Sequence, residues 1–255
     1  MQTSMSTTPT QSMTEAAATT VVGVDGCKSG WIACWRSASR RLQAQVYADA
    51  TALLAAHRDA RVIGVDVPIG LSEHGPRASD ALARQVLGGH RASSIFSAPV
   101  RGVLHARTQA EASALHKAID GRGFGVQSFG ILPKIREWDD ALAADATAPG
   151  RVREVHPELS FAAMNAAQGG DGKGLVASKK SDDGQAQRIA LLARHFPRRE
   201  IERLLADRAS GVGRDDLIDA LAVLWSAQRI ERAQAHCLPP TPVRDRTGLA
   251  SAIWV

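Results

Sequence analysis

Cysteine and aromatic residues are both scarce in this chain of 255 residues. The three cysteines, Cys27, Cys34 and Cys237, are odd in number and form no Cys-x-x-Cys pair. That spacing argues against a disulfide framework or a structural zinc site, and it fits a reducing cytoplasm. Aromatic residues make up only 4% of the chain, too few for the basic, aromatic-interleaved surface of a dedicated single-strand binder. No apolar run approaches membrane-spanning length, so no membrane partner is expected. Residues 1–20 are rich in Ser, Thr, Gln and Met and lack the basic-then-apolar order of a signal peptide. They read as a disordered tail. Charge is not strongly one-sided: 31 Lys and Arg against 26 Asp and Glu leave +5, which is compatible with a polyanionic partner without requiring one. What is abundant is apolar residue, 44% of the chain, ample for one packed core over residues 21–255. No internal repeat is evident, and a homodimer stays open.

The stretch Val21 to Trp31, VVGVDGCKSGW, organises the rest. An apolar, mostly β-branched run ends in one carboxylate, Asp25, and passes through a glycine-flanked turn into a second apolar run, Trp31 to Trp35. That is the pattern of a buried strand and a tight hairpin. An acid at the end of a buried strand is costly unless something neutralises it. A third strand is expected over Leu42 to Tyr47, and a short helix capped by Asp49 or Thr51 follows to His57. Val62 to Val67, VIGVDV, repeats the first motif: an apolar run carrying one acid, Asp66, stopped by Pro68. In open α/β sheets the carboxyl ends of strands are where ligands bind.

Residues 70–150 read as a largely helical insertion, with helices over Pro76 to Leu87, Thr108 to Ile119 and Ile135 to Ala144. A glycine-bounded loop at 88–102 holds Arg91, Ser93, Ser94 and Arg101. It is either a solvated connection or a phosphate cradle, with Gln127, Ser128 and Lys134 nearby. A strand at Val152 to Val155 places Glu154, His156 and Glu158 on one face if the chain stays extended, and Pro157 begins a helix at its first position. Gly172-Lys173 lacks the following Ser or Thr of a P-loop. Asp182 or Asp183 starts a helix to His195, and Arg198 to Ala206 is another. The helix over 213–232 carries Asp215, Asp216 and Asp219 in its first turns, above an apolar stripe of Leu217, Leu221, Leu224 and Trp225. The helix dipole accounts for Asp215 but poorly for Asp219, which lies deeper among apolar residues. The final GLASAIWV would add an edge strand or a docking tail.

Two acids at neighbouring strand ends and two on a late helix would repel one another unless a cation lay among them. All-oxygen ligands suit Mg²⁺ or Mn²⁺ rather than zinc. Two such cations about 4 Å apart are the device for an in-line phosphoryl displacement. The first-strand GVDG and hairpin, the acid ending the fourth strand and the D-x-x-D-A-L-A helix resemble the ribonuclease H-like fold. That helix is similar to the one in bacterial Holliday-junction resolvases. More closely, GVDGCKSGW, DVPIGL, RASDALARQVLG with HRASSIFSAPVR, QSFGILPKIREWD, EVHPELSF and DDLIDALA resemble domain-of-unknown-function family 429 over about residues 21–232. Members of that family are predicted ribonuclease H-like nucleases. The resemblance implies a mixed five-stranded sheet in the order 3-2-1-4-5, flanked by helices. It implies Asp25 as the central metal-bridging carboxylate, Asp66 as the second ligand and Asp219, with Asp216, as the third. Glu154, His156 and Glu158 are then substrate contacts, a proton carrier or an ion pair with Arg153. The expected activity is two-metal hydrolysis of phosphodiester bonds in nucleic acid. An actin-like phosphotransferase or ATPase and a non-catalytic nucleic-acid or anion-binding protein are the competing readings.

Overall fold

The computed structural model describes residues 21–255; the tail expected over residues 1–20 lies outside them. Apolar alternation in the first strands dictates the architecture. β1 (Val21–Cys27), β2 (Gly30–Arg36) and β3 (Leu42–Tyr47) form an antiparallel meander. β4 (Val62–Val65) and β5 (Val152–Val155) add parallel strands on the other side of β1. Val22, Val24, Trp31, Ala33, Ile63 and Val65 enter one apolar cluster, whereas Cys27, Ile32 and Cys34 enter another. Successive residues thus feed opposite faces of the sheet. All three cysteines are buried and free.

The sheet has seven strands, in the order β3-β2-β1-β4-β5-β7-β6. The expected order 3-2-1-4-5 holds within it, and the arrangement is ribonuclease H-like. The two added strands correct the reading of the C-terminal region. β7 (Ala250–Trp254) is no edge: it lies between β5 and β6 (Cys237–Arg244), parallel to the first and antiparallel to the second. β6 contains Pro239, Pro240 and Pro242. Proline cannot donate to a ladder, so such a strand is confined to an edge, and the edge is where it lies.

Helices α1 (Ala50–Ala56), α2 (Ala78–Leu87), α3 (Gln109–Asp120), α4 (Val126–Ala144) and α5 (Ala148–Arg151) precede β5. Of these, α2 to α5 belong to the insertion between β4 and β5. α4 starts nine residues before the expected Ile135 and runs through Pro133. The proline removes one helical hydrogen bond. Burial of Leu132, Ile135, Trp138, Ala141 and Leu142 holds the helix together across that gap. The later part of the insertion covers one sheet face: Val100, Val103, Leu104, Leu132 and Trp138 join the cluster that contains Val24 and Val65, whereas Ala83 and Leu87 of α2 pack with Leu159 and Ala162 and with Leu238 and Ile253. Trp138 packs edge-on to Trp31 at 5.5 Å between ring centroids.

On the other face lie α6 (Pro157–Ala166), α7 (Asp182–Leu192), α8 (Arg198–Ala206) and α9 (Arg214–Glu231). α9 presses directly on the sheet because β1 and β4 each carry a glycine beneath it. A Cβ on Gly23 would stand 2.1 Å from the Leu224 nitrogen, and one on Gly64 would stand 2.9 Å from a Val223 methyl. The residues that follow these glycines on the same face are Asp25 and Asp66. No helix among the described residues is long and apolar enough to cross a membrane.

Candidate active site

Asp25 and Asp66 stand side by side because β1 and β4 are parallel and in register. Val24 pairs with Val65, and the Asp66 N–H donates to the Val24 carbonyl at 3.0 Å. Both acids project toward α9, where Asp219 sits in the second turn with only 2% of its surface exposed. Asp25, Asp66 and Asp219, expected to converge at the carboxyl ends of β1 and β4, lie near enough to influence one another's charge.

Their environment is hostile to negative charge. Burial pushes the Asp25 carboxyl well above its ordinary value, and Asp66, Asp219 and Asp216 add to the shift. Asp66 is raised by burial to about 7, with Lys179 opposing and Glu158 reinforcing. Asp219 is raised by burial to about 6, again with Lys179 opposing. Lys179 is the residue that sequence reasoning missed. Its Nζ donates to Asp219 Oδ2 at 2.6 Å. Burial alone would lower its pKa, but Asp219, Asp25 and Asp66 hold it above the ordinary lysine value. The sequence carried half of the signal, since buried strand-end acids demand a cation. A polar loop reading Ser-Lys-Lys-Ser gave no hint of which residue supplies it.

The other predicted site residues sort by what they touch. Asp216 closes the N-terminus of α9, accepting the Gly213 N–H at 2.8 Å. Glu158 has one carboxylate oxygen on the buried Arg188 at 2.6 Å, while its Oε2 is buried with no partner. That free oxygen belongs to a group whose charge reaches both Asp66 and Asp219. Glu154 belongs elsewhere. Arg77 donates to both of its oxygens at 2.8 Å, and the Ile69 N–H adds a third bond. Burial raises its pKa, and Arg77 is the chief opposing influence. Its partner is therefore Arg77 and not the adjacent Arg153, which donates to the carbonyls of Pro149, Val152 and Gly150. His156 caps α6, its Nδ1 accepting the Glu158 N–H at 3.2 Å. Burial lowers its pKa, which keeps the ring neutral at physiological pH.

The loop proposed as a phosphate cradle is occupied internally. Arg91 donates to the carbonyls of Leu175, Val176 and Ala177. Arg101 is buried and pairs with Asp139 at 2.8 Å and with Asp245, which leaves its guanidinium no free face for a phosphate. Ser94 Oγ donates to the Arg91 carbonyl, and Ser93 is exposed. Lys134 lies across the hairpin turn, donating to the Gly30 carbonyl at 2.7 Å and standing 4.1 Å above the Trp31 ring.

A hard divalent cation is the group the fold leads one to expect, and the donor types suit it: buried Asp25 and Asp219, half-buried Asp66 and the unpartnered Glu158 oxygen are all oxygen donors. Among the described residues no three His, Cys, Asp or Glu side chains stand close enough to form a ready-made cage. Lys179, and not another acid, is in contact with Asp219.

A family model described as "Protein of unknown function (DUF429)" matches residues 23–244. The chain belongs to that family. The match runs from two residues before Asp25 to the end of β6, so the DUF429 region contains every member of the acidic site. No curated protein and no solved structure matches this DUF429 chain.

Proposed function

We propose that the protein is a divalent-metal-dependent phosphodiesterase acting on nucleic acid. One observation supports the reading: Asp25, Asp66 and Asp219 lie near enough to influence one another's charge on the α9 side of the sheet, where Lys179 reaches Asp219. Glu158 is matched by Arg188, and Glu154 shares Arg77 with Asp80. Once ionised, the three acids would leave two negative charges beyond Lys179, and buried charge is tolerated only when paired. Bound Mg²⁺ or Mn²⁺ would supply Lewis-acid stabilisation of a phosphoryl oxygen and a water made acidic enough to attack at neutral pH. The chain's own residues have separate tasks. Asp25, Asp66 and Asp219 would hold such an ion from three neighbouring elements, β1, β4 and α9. Glu158 Oε2 is an acceptor for a proton or a water hydrogen beside them.

A polyanionic substrate is supported by a groove of about 550 Å³ lined by Arg36, Arg40, Arg229, Arg232 and His195, with no acid in its lining. Arg229 lies ten residues beyond Asp219 on α9, about 15 Å along the helix. The same groove favours, as a second reading, a protein that binds a phosphate backbone without cutting it.

The two readings separate on a panel of single-stranded, duplex, hybrid and junction substrates with Mg²⁺ or Mn²⁺. Cleavage is expected from the parent and should fall by more than about 100-fold in Asp25→Asn, since losing even a ligand's supporting contact costs 10–100-fold. Binding without cleavage in any metal would sink the phosphodiesterase and leave the binding protein. ATP turnover without cleavage would point instead to a phosphotransferase.

A further inference from the structure

Resting on the nucleic-acid reading, we propose that the groove between the β2–β3 turn and the end of α9 anchors the phosphate backbone of the substrate, at the opposite end of the sheet from the acids. Four guanidinium groups meet there. Arg36 ends β2, Arg40 lies in the turn to β3, Arg229 stands in the last turn of α9 and Arg232 caps it. The strands put the groove as far from the acids as the helix does. Asp25 pairs with Ile32, and Arg36 is four residues further along β2, about 13 Å away. Holding the substrate and cutting it are therefore done at two places.

The positive charge in the groove has no internal explanation. A helix dipole accounts for basic residues at the end of α9, but Arg36 and Arg40 belong to no helix. No carboxylate lines the groove. Arg36 donates to the His195 carbonyl at 2.8 Å and Arg229 to the Gln234 carbonyl at 2.7 Å. Each of the two buries its Nε without a protein partner. Burial lowers the Arg36 pKa, Glu200 opposes, and Arg232 and Arg40 lower it further. The Glu200 carboxylate is itself engaged, accepting the Leu42 N–H. Arg40 has a φ of 62°, in the left-handed region that favours glycine. Its turn is closed by main-chain bonds alone, from the Arg40 N–H to the Ser37 carbonyl and from the Ser37 N–H to the Arg41 carbonyl. Glycine would serve that turn better, so the arginine is there for something other than the fold.

The surroundings favour a backbone over a compact phosphate. Compact phosphates are held by main-chain N–H groups at helix N-termini. This groove meets carboxyl ends instead: Ala167 caps α6, His195 lies three residues past α7, and α9 ends beside it. Their carbonyls oppose an anion seated on the main chain. Long arginine side chains still reach phosphates that lie across the mouth and repeat along a strand.

The test is the binding of a labelled single strand of about 12 nucleotides, and of its duplex, to the full chain. Fluorescence anisotropy is read in chelator over a range of salt, so the result does not depend on cleavage. Arg40→Gly and Arg232→Gln should each lower the salt slope by about 0.7 on the single strand and about 0.9 on the duplex. Arg40→Gly should also keep or raise the thermal midpoint. Unchanged slopes in both variants would overturn the anchor and leave the phosphodiesterase reading to its own cleavage panel. Displacement of the strand by inorganic triphosphate, at an ionic strength where chloride leaves it bound, would overturn it by giving the groove to a compact phosphate. Slopes that move as stated, with no cleavage in any metal, would uphold the anchor and sink the phosphodiesterase.

Discussion

Raising the pH should destabilise the metal-free protein, in a window where many proteins are most stable. The perturbation is the removal of protons from the acidic site with a chelator present. Asp66 titrates at about 7 in the folded chain and Asp219 at about 6, against an ordinary value of 3.8 for each. Between pH 4 and pH 7 the folded state therefore binds more protons than the unfolded state, and the unfolding free energy must fall as pH rises. The contribution is absent below the unfolded value and complete above the folded one. A shift of about 3 units for Asp66 corresponds to about 4 kcal/mol at 1.36 kcal/mol per unit. Protons leave neighbouring acids in shared steps, so about 4 kcal/mol is taken for the whole cluster. Urea unfolding at pH 5 and pH 8 in chelator, for the parent and for Asp66→Asn, measures it. The parent should lose stability relative to the variant across that interval, and saturating Mn²⁺ at pH 8 should restore it by mass action on the folded state. A parent-to-variant difference that does not change between pH 5 and pH 8 would refute the reasoning.

Two further outcomes follow from the packing. Gly23→Ala should destabilise the protein by more than about 3 kcal/mol, because the added methyl meets the α9 backbone and not a side chain that can rotate away; denaturant unfolding reports it. Arg101→Gln should cost about 3–5 kcal/mol by leaving a buried cation's two carboxylate partners, half-buried Asp139 and the covered Asp245 side chain, unpaired, without changing the salt dependence of nucleic-acid binding. Arg232→Gln, in the exposed part of the groove, should have the opposite profile, leaving stability nearly unchanged and lowering the salt slope by about 1; equal slopes for the two variants would remove the groove as a backbone contact.

The acids at the strand ends were readable because their signal is local. An apolar run with a single carboxylate at its end states both burial and direction, and VGVDG and IGVDV each contain the whole message, glycine included. Asp219 was readable for the same reason, as an acid too deep in a helix for the dipole to explain. What could not be read was pairing across distance. Glu154 looked chemical until Arg77, 77 residues away, accounted for it. Arg91 and Arg101 looked available in a glycine-bounded loop, but their partners lie 38 to 144 residues further on. The strand at Cys237–Arg244 was hidden by its own prolines, which suppress the local pattern at the one position in a sheet where they are tolerated. The beginning of α4 was hidden by Pro133, where tertiary burial outweighs propensity.

The helical segment between β4 and β5 is an insertion in sequence but half of the sandwich in space. Val100, Leu104, Leu132 and Trp138 share a cluster with Val22, Val24, Ile63 and Val65, and α2 packs against α6, β6 and β7, so these helices are built into the layers of the sheet and are not an appended lobe. A lobe with its own core could rock on a hinge and close over a substrate. A cover layer cannot lift without exposing that face to water, at a cost that scales with every buried side chain beneath it. Access to the acids must accordingly come from the α9 side, through the rim that bears Lys179. A ligand that reaches them passes Lys179, whose side chain spans from the surface to Asp219.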